Sequence, residues 1–140
     1  MPTRKLIPLL KKSLPPLRRK LLLDEIDLAT VSGEVPVVEL SFPSAERESI
    51  FVTDAGSQLL CICYLWREDE VRPDRKTELL TTLLELNPSV PLSSFGVIGH
   101  HYVIFGALSP AANAEDMALE LATLSDNAVD AIATLADFLG

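Results

Sequence analysis

The sequence predicts an α+β fold in which helices pack on a mostly antiparallel sheet of five strands, in the order α-βββ-α-ββ-α. Strand-like segments arrive in pairs joined by short turns, which favours antiparallel pairing over alternation with helices. Helical periodicity is confined to the two ends of the chain and to one central segment. At 140 residues, 48% of them hydrophobic, the chain has the size of one ordinary domain with an aliphatic core.

The N-terminal segment has an apolar stripe of helical period with basic residues around it. Pro15 and Pro16 interrupt the stripe. Because proline fits the first turn of a helix, we expect two short helices, over residues 3–13 and 16–23. The stripe consists of Leu6, Leu10, Leu14, Leu17 and Leu21.

The net charge of −8 is unevenly distributed, since the residues from position 21 onward carry five cations against 20 acids. We therefore expect a basic helical arm over residues 1–30 and an acidic α+β domain over 31–140. A body that acidic repels nucleic acid. The arm's cations are expected to contact an acidic partner or an anionic membrane, unless they face the acidic body while the leucines cover the sheet. These cations are Arg4, Lys5, Lys11, Lys12, Arg18, Arg19 and Lys20.

Three strands are predicted after the arm. Residues 35–42, bounded by glycine and proline, suggest an edge strand. Residues 49–53 and 58–66 flank a turn and form a hairpin. The run 58–66 is almost continuously apolar, which is typical of a strand covered on both faces, or covered on one and paired at an interface on the other.

The second half of the chain is predicted to contain two helices around another hairpin. The first helix covers residues 73–87 and ends before a proline. Residues 95–98 and 102–108 flank a glycine-histidine-histidine turn. A long apolar helix follows residue 110, and its polar triplet 125–127 is compatible with a kink or with division into two parts, alternatives that the pattern leaves open.

Two cysteines and two histidines are the candidate residues for metal binding or nucleophilic catalysis. Cys61 and Cys63, with His100 and His101, could in principle bind a soft metal, but structural zinc sites favour two to four residues between paired cysteines. A thiol nucleophile needs an electropositive setting or a helix N-terminus, and both cysteines lie in the middle of a strand. We therefore expect buried core thiols, no catalytic residue, no metal and no cofactor.

The expected location is the cytoplasm. The longest uncharged apolar stretches fall well below the ~20 residues of a membrane-spanning helix. The N-terminal apolar run is broken by Pro8 and by the pair Lys11 and Lys12, unlike a secretory signal. Cysteines two positions apart on one strand are awkward to bridge, so free thiols in a reducing compartment are expected.

Two segments of the second half, Pro91–Gly96 and Tyr102–Ser109, resemble the bacterial YjfI family, a domain of unknown function. The resemblance extends back to residues 65–66 and on to residues 127–131. It covers roughly the C-terminal two thirds of the chain, and residues 1–30 depart from it.

Members of that family tend to be encoded beside membrane-remodelling proteins of the phage-shock-protein-A (PspA) type. The resemblance therefore implies a cytoplasmic accessory protein linked to envelope stress, with no reaction to carry over. The element order is also similar to that of type III secretion chaperones and of the YbjN family, which are non-enzymatic binding proteins that often dimerise. This second likeness is an analogy of topology, and a fold does not fix a function.

We therefore expect a homodimeric adaptor or chaperone-like protein, not an enzyme, which binds a PspA-type or other envelope partner. The alternative is a peripheral membrane protein anchored by the basic arm. The predicted partner-binding side chains come from the apolar strand and the second hairpin. They are Leu60, Ile62, Tyr64, Trp66, Phe95, Tyr102 and Phe105.

Overall fold

A computed structural model of the chain describes the backbone of residues 2–140 and the side chains from Lys5 onward. It contains three α-helices and six strands. The helices are α1 (Pro2–Leu21), α2 (Lys76–Leu86) and α3 (Ala114–Thr134). The strands are β1 (Asp27–Val31), β2 (Val37–Ser41), β3 (Ile50–Asp54), β4 (Leu59–Arg67), β5 (Ser94–Ile98) and β6 (His101–Leu108).

The strands form one antiparallel sheet in the order β1-β2-β3-β4-β6-β5, which confirms the predicted α+β class and both hairpins. The sheet has six strands, not five, because β1 was missed. That strand is short and exposed, and among its residues only Leu28 and Val31 are large and apolar, so its period-2 signal is weak. Since β1 pairs with β2, the segment predicted as an edge strand is second from the edge.

The N-terminal segment forms one continuous helix, which corrects the predicted break at Pro15 and Pro16. Pro15 is exposed, and so is Lys11, whose carbonyl loses its helical partner there and can bond to water. Packing of α1 on α3 stabilises the helix beyond its own propensity. The division predicted after residue 30 falls inside β1, and the buried leucines of α1 belong to the same core as the sheet.

The main core lies between one face of the sheet and the two long helices, α1 and α3. Alternate residues of each strand point toward the helices, as the pleat of a strand requires. On α1 the buried residues are Leu6, Leu10, Leu17 and Leu21. On the sheet they include Val38, Leu40, Ile50, Val52, Leu59, Cys61, Cys63 and Ile104.

A second core cluster fills the space between α2 and the C-terminal end of α3. The pairing of β4 with β6 is irregular between Tyr64 and Trp66, and this bulge turns Trp66 toward the helices beside Tyr102. The α2 residues Leu79 and Leu83 close the cluster. The helix ends at Leu86, in agreement with the proline stop predicted from the sequence.

Helix α3 is continuous through residues 125–127, so the division that the polar triplet suggested does not occur. Its polar groups bond to other elements instead. Arg47 donates to Oγ of Ser125 and to Oδ1 of Asp126, each at 2.8 Å. Asn127 donates to the carbonyl of Pro91 at 2.9 Å. The triplet therefore anchors two loops on α3.

One acid lies inside the interface between α3 and the sheet. Glu120 is 4% exposed and faces Gly106 of β6, where a Cβ atom would collide with the carboxylate. Within the described part of the chain, Oε2 of Glu120 has no hydrogen-bond partner. Burial disfavours the charged form and raises the pKa of Glu120 to about 7.

We expect the free energy of unfolding to fall as the pH rises from about 4.5 toward about 7. The folded-state pKa of Glu120 lies above the unfolded value, so the stabilisation is complete at low pH and is lost as the carboxyl ionises. Glu120→Gln should flatten this dependence and raise the free energy of unfolding near pH 8 by on the order of 1 kcal/mol, after discounting for solvent screening. Urea unfolding across this pH range measures both effects.

The matched control is Glu115→Gln, which removes an exposed acid from the first turn of the same helix. It should leave the slope between pH 5 and pH 7 unchanged, because this side chain is exposed to water in the folded protein as it is in the unfolded chain. A Glu120→Gln protein with the wild-type slope would contradict the assignment.

Candidate functional site

The face of the sheet opposite α1 and α3 is not covered by any helix of the described chain. A Cβ on Gly106 would meet Glu120 of α3, so Gly106 faces the helices. Phe105 precedes Gly106 on β6 and therefore points to the opposite face of the sheet. A Cβ on Gly96 would meet the Phe105 ring at 3.0 Å, so Gly96 lies on that face too. We call this surface the open face, and its central residues are Val37, Glu39, Phe51, Thr53, Leu60, Ile62, Tyr64, Val103, Phe105 and Ala107.

An apolar row crosses the middle of the open face. Phe51, Ile62 and Phe105 stand opposite one another on β3, β4 and β6. Tyr64 makes edge-to-face contacts with the rings of Phe51, at 5.6 Å between centroids, and of His101, at 5.3 Å. The side chains of this row are half-buried because they cover one another. Part of each side chain of this row therefore remains in contact with water.

Four of the seven predicted partner-binding residues share this surface, and three do not. Those on the open face are Leu60, Ile62, Tyr64 and Phe105. The prediction is corrected for Trp66 and Tyr102, which are buried in the second cluster, and for Phe95, which packs on the helix side opposite Ile104. The bulge explains Trp66, since regular alternation would have kept it beside Tyr64.

Sequence reasoning missed Phe51, at the centre of the apolar row. Its signal was present, since alternation within the segment 49–53 puts it on one face and its buried neighbours on the other. What the sequence does not contain is the register that brings it opposite Ile62. The apolar row is therefore assembled from three strands, not from one apolar strand and one hairpin.

The thiols and imidazoles weighed as a metal or nucleophile site lie apart. Burial raises the pKa of Cys61 far above its ordinary value and that of Cys63 to about 12, which disfavours the reactive thiolate. His100 is exposed in the β5–β6 turn, where Nδ1 lies 3.3 Å from Oε2 of Glu68. Among the residues that the structure describes, no group of three or more His, Cys, Asp or Glu could hold a metal ion.

Five of the six cations of α1 whose side chains are described lie on the side of the helix away from the core. Those at positions 5, 11, 12, 19 and 20 are exposed and make no ion pair within the described residues, whereas Arg18 is partly buried. The side chain of Arg4 lies outside the described part. The last-turn cations Arg18, Arg19 and Lys20 complement the negative end of the helix dipole.

The apolar side of α1 is occupied by the fold. Leu10 and Leu17 are completely buried, so the leucine stripe is not free to enter a lipid surface while α1 remains folded. Among the described residues, no helix has both the length and the apolarity that spanning a bilayer requires. The leucines of the arm therefore cover the sheet, as one of the two predicted roles requires. The exposed cations of the arm face solvent.

Comparison with solved structures places this architecture among known folds. The chain is similar to a chain of the ExoU–SpcU complex of the Pseudomonas aeruginosa type III secretion system, with a TM-score of 0.53 and 10% identity over 79% of this chain and 83% of that one. YbjN of Escherichia coli matches with a TM-score of 0.55 and 15% identity, over 88% and 91%. The Yersinia pestis type III secretion chaperone SycH, in complex with a fragment of YscM2, gives 0.50 and 16%, over 84% and 95%. These likenesses concern the fold and confirm the predicted topological similarity.

Sequence comparison identifies the family. Protein YjfI of Escherichia coli K12 is 30% identical, over 74% of this chain and 87% of that protein, which confirms the resemblance predicted from the second half of the chain. A family model described as an uncharacterised protein conserved in bacteria, DUF2170, matches residues 14–139. The match begins inside α1, well before the segments that carried the resemblance. The chain therefore belongs to the DUF2170 family of bacterial proteins.

Proposed function

We propose that this protein is a non-enzymatic adaptor of the chaperone type, which binds another protein through the open face. The uncovered apolar row of Phe51, Ile62 and Phe105 is the observation that carries the proposal. A contiguous exposed apolar surface on a small protein is typical of an interaction site. The likeness to SycH, which was solved in complex with a fragment of YscM2, supports a binding role for this fold.

The composition of the open face suits a protein partner. Its centre contains two phenylalanines and a tyrosine, side chains that supply much of the binding energy at protein interfaces. Glu39 is the acid in its central rows. The sheet holds these side chains on rigid strands, so binding would order few of them and lose little entropy. The open face is thus preorganised for an apolar partner surface.

We infer further that the partner is a PspA-type protein of the envelope-stress response, and that the pair works in the cytoplasm. The support is the family resemblance, since relatives of YjfI tend to be encoded beside such proteins. An amphipathic helix would fit the open face, with its apolar stripe on the row and its polar side in water.

Ile62→Glu should weaken binding of the PspA-type protein by roughly 30-fold or more, because it places a charge at the centre of the row. The fold should survive, since this side chain faces solvent when no partner is bound. Calorimetric titration measures the affinity, and circular dichroism checks the fold.

Ile62→Val is the matched control and should bind within a few-fold of wild type. Equal binding by the Glu variant and wild type would exclude the open face. No binding by wild-type protein would instead exclude the PspA-type partner.

We also propose that the chain is a homodimer, through a second apolar surface on α2. Leu80 and Leu84 are 39% and 71% exposed, on a side of α2 rotated by about 100° from the buried Leu79 and Leu83. A two-fold dimer would bring the same patch of each copy together. This surface is separate from the open face, so a dimer could bind partners on both subunits.

Leu84→Glu should convert the dimer to a monomer in light scattering, because the change sets two like charges against each other at the two-fold axis. Affinity for the partner per subunit should stay unchanged. Glu85→Gln, at the neighbouring exposed position, should remain dimeric. A wild-type monomer at micromolar concentration, or a dimeric Leu84→Glu protein, would contradict this interface.

The alternative function is contact with an anionic membrane through the outward cations of α1. Since the leucines of α1 are buried, such contact would be electrostatic and without insertion, worth about 1 kcal/mol per cation near the surface. The absence of ion pairs on Lys5, Lys11 and Lys12 within the described residues supports it.

The double variant Lys11→Glu with Lys12→Glu should then lose sedimentation with phosphatidylglycerol vesicles, because it reverses two charges on the outward side of α1. High salt should release the wild-type protein, and phosphatidylcholine vesicles should not bind it. The double variant Arg72→Glu with Lys76→Glu, at two exposed positions outside α1's cationic side, changes the net charge by the same amount and is the control. Wild-type protein that stays in solution with anionic vesicles would exclude this function.

A further inference from the structure

The two edges of the sheet differ in one respect that decides what can bind there. At the β5 edge, the backbone N–H of Phe95 points away from the sheet and donates to Oδ1 of Asn87 at 2.7 Å. A side chain thus occupies a donor that a neighbouring strand would use, which makes strand addition at this position of β5 less favourable.

The opposite edge, β1, presents its backbone groups to solvent. In antiparallel pairs, hydrogen-bonded and non-hydrogen-bonded positions alternate. Ala55 donates to the carbonyl of Gln58 at 2.8 Å across the β3–β4 turn, so these two residues form a hydrogen-bonded pair. When the alternation is continued from this pair through β3 and β2 to β1, Ala29 is a residue whose backbone groups bond to β2. The N–H and C=O groups of Leu28 and Thr30 therefore point outward.

The alternation of hydrogen-bonded pairs also agrees with the geometry of the other edge. Continued from Gln58 through β4 and β6, it places the N–H of Phe95 on the outer side of β5, where this group bonds to Asn87. Four of the five residues of β1 are exposed, and no hydrogen bond among the described residues reaches the outward groups of Leu28 or Thr30. The two N–H and two C=O groups of these residues are thus available to pair with another strand.

The surroundings of β1 are strongly acidic. Residues 21–46 contain six acids and no lysine or arginine. None of the six forms an ion pair within the described residues; they are Asp24, Glu25, Asp27, Glu34, Glu39 and Glu46. Pairing of β1 with β1 of a second copy would bring the same acids together, which repel. A strand that carries lysine or arginine is attracted instead.

We propose that β1 accepts an added strand from an extended, positively charged segment of a partner protein. Main-chain hydrogen bonds to Leu28 and Thr30 would supply affinity, and the acids around β1 would select cationic side chains. This goes beyond the proposed function, because it assigns a second surface and the chemistry of its occupant. It does not require that the open face bind anything.

The probe is a fluorescein-labelled peptide of eight residues that alternates valine with lysine, added to the full chain. Anisotropy should show binding that weakens with salt, and a matched peptide with glutamate in place of lysine should not bind. Amide hydrogen exchange should slow at Leu28 and Thr30 when the lysine peptide is present, because their N–H groups gain partners.

Thr30→Pro removes one outward N–H and leaves the bonds to β2 intact, so the lysine peptide should bind at least tenfold more weakly. Thr30→Val keeps the N–H and should bind as wild type does. Ile62→Glu on the open face should also leave peptide binding unchanged, which separates this surface from the open face. Hydrogen exchange of the β2–β3 amides verifies that the Thr30→Pro sheet is intact.

Three results would overturn the proposal. The lysine peptide could fail to bind, it could bind without slowing exchange at Leu28 and Thr30, or an intact Thr30→Pro protein could bind it as tightly as wild type does. Equal binding of the lysine and glutamate peptides would overturn the charge requirement. Loss of PspA-type binding in Ile62→Glu bears only on the open face.

Discussion

Side chains of a β-strand alternate between the two faces of a sheet, and here helices cover one face only. The sheet residues that meet α1 and α3 are almost entirely apolar, as burial demands. The central strand β4 is apolar on its other side as well, at Leu60, Ile62 and Tyr64. With both long helices on one side, these groups remain on the surface. The open face therefore exists because β4 carries more apolar side chains than the helices on one side of the sheet can cover.

The elements that local chemistry defines could be predicted from the sequence. Turns rich in glycine and a proline stop marked both hairpins and the end of α2. Features that depend on distant partners could not. The bulge that buries Trp66 exists only in the pairing of β4 with β6, and α1 continues through Pro15 because α3 supports it. β1 escaped prediction because its pattern is weak and exposed.

The same limit applies to the candidate site. Leu60 and Ile62 were predicted because their strand is apolar throughout. Phe51 was not, although it stands next to Ile62, because the register of β3 against β4 is a tertiary property. Phe95 was predicted on the wrong face of the sheet for a related reason. A strand has two faces, and an aromatic residue type alone does not determine which of them its side chain occupies. Single-sequence patterns find the strands of such a site, and the pairing decides which of their residues share it.

Helix α1 combines leucines and cations, which together form a single amphipathic pattern in the sequence. Its leucines stabilise the core, and its cations remain in water or complement the end of the helix. The positive charge is therefore carried by α1, while the negative charge lies on the rest of the chain. The protein thus has a pronounced charge asymmetry, which would orient it as it approaches a charged partner.

The hydrogen bond from Phe95 to Asn87 makes the two edges of the sheet unequal. A sheet with two free edges can recruit copies head to tail and grow without end, as open fibres do. Here a side chain occupies one outward donor of β5, whereas the outward groups of Leu28 and Thr30 on β1 have no partner within the described residues. The asparagine side chain therefore favours strand addition at β1 over β5, which disfavours open-ended growth through both edges.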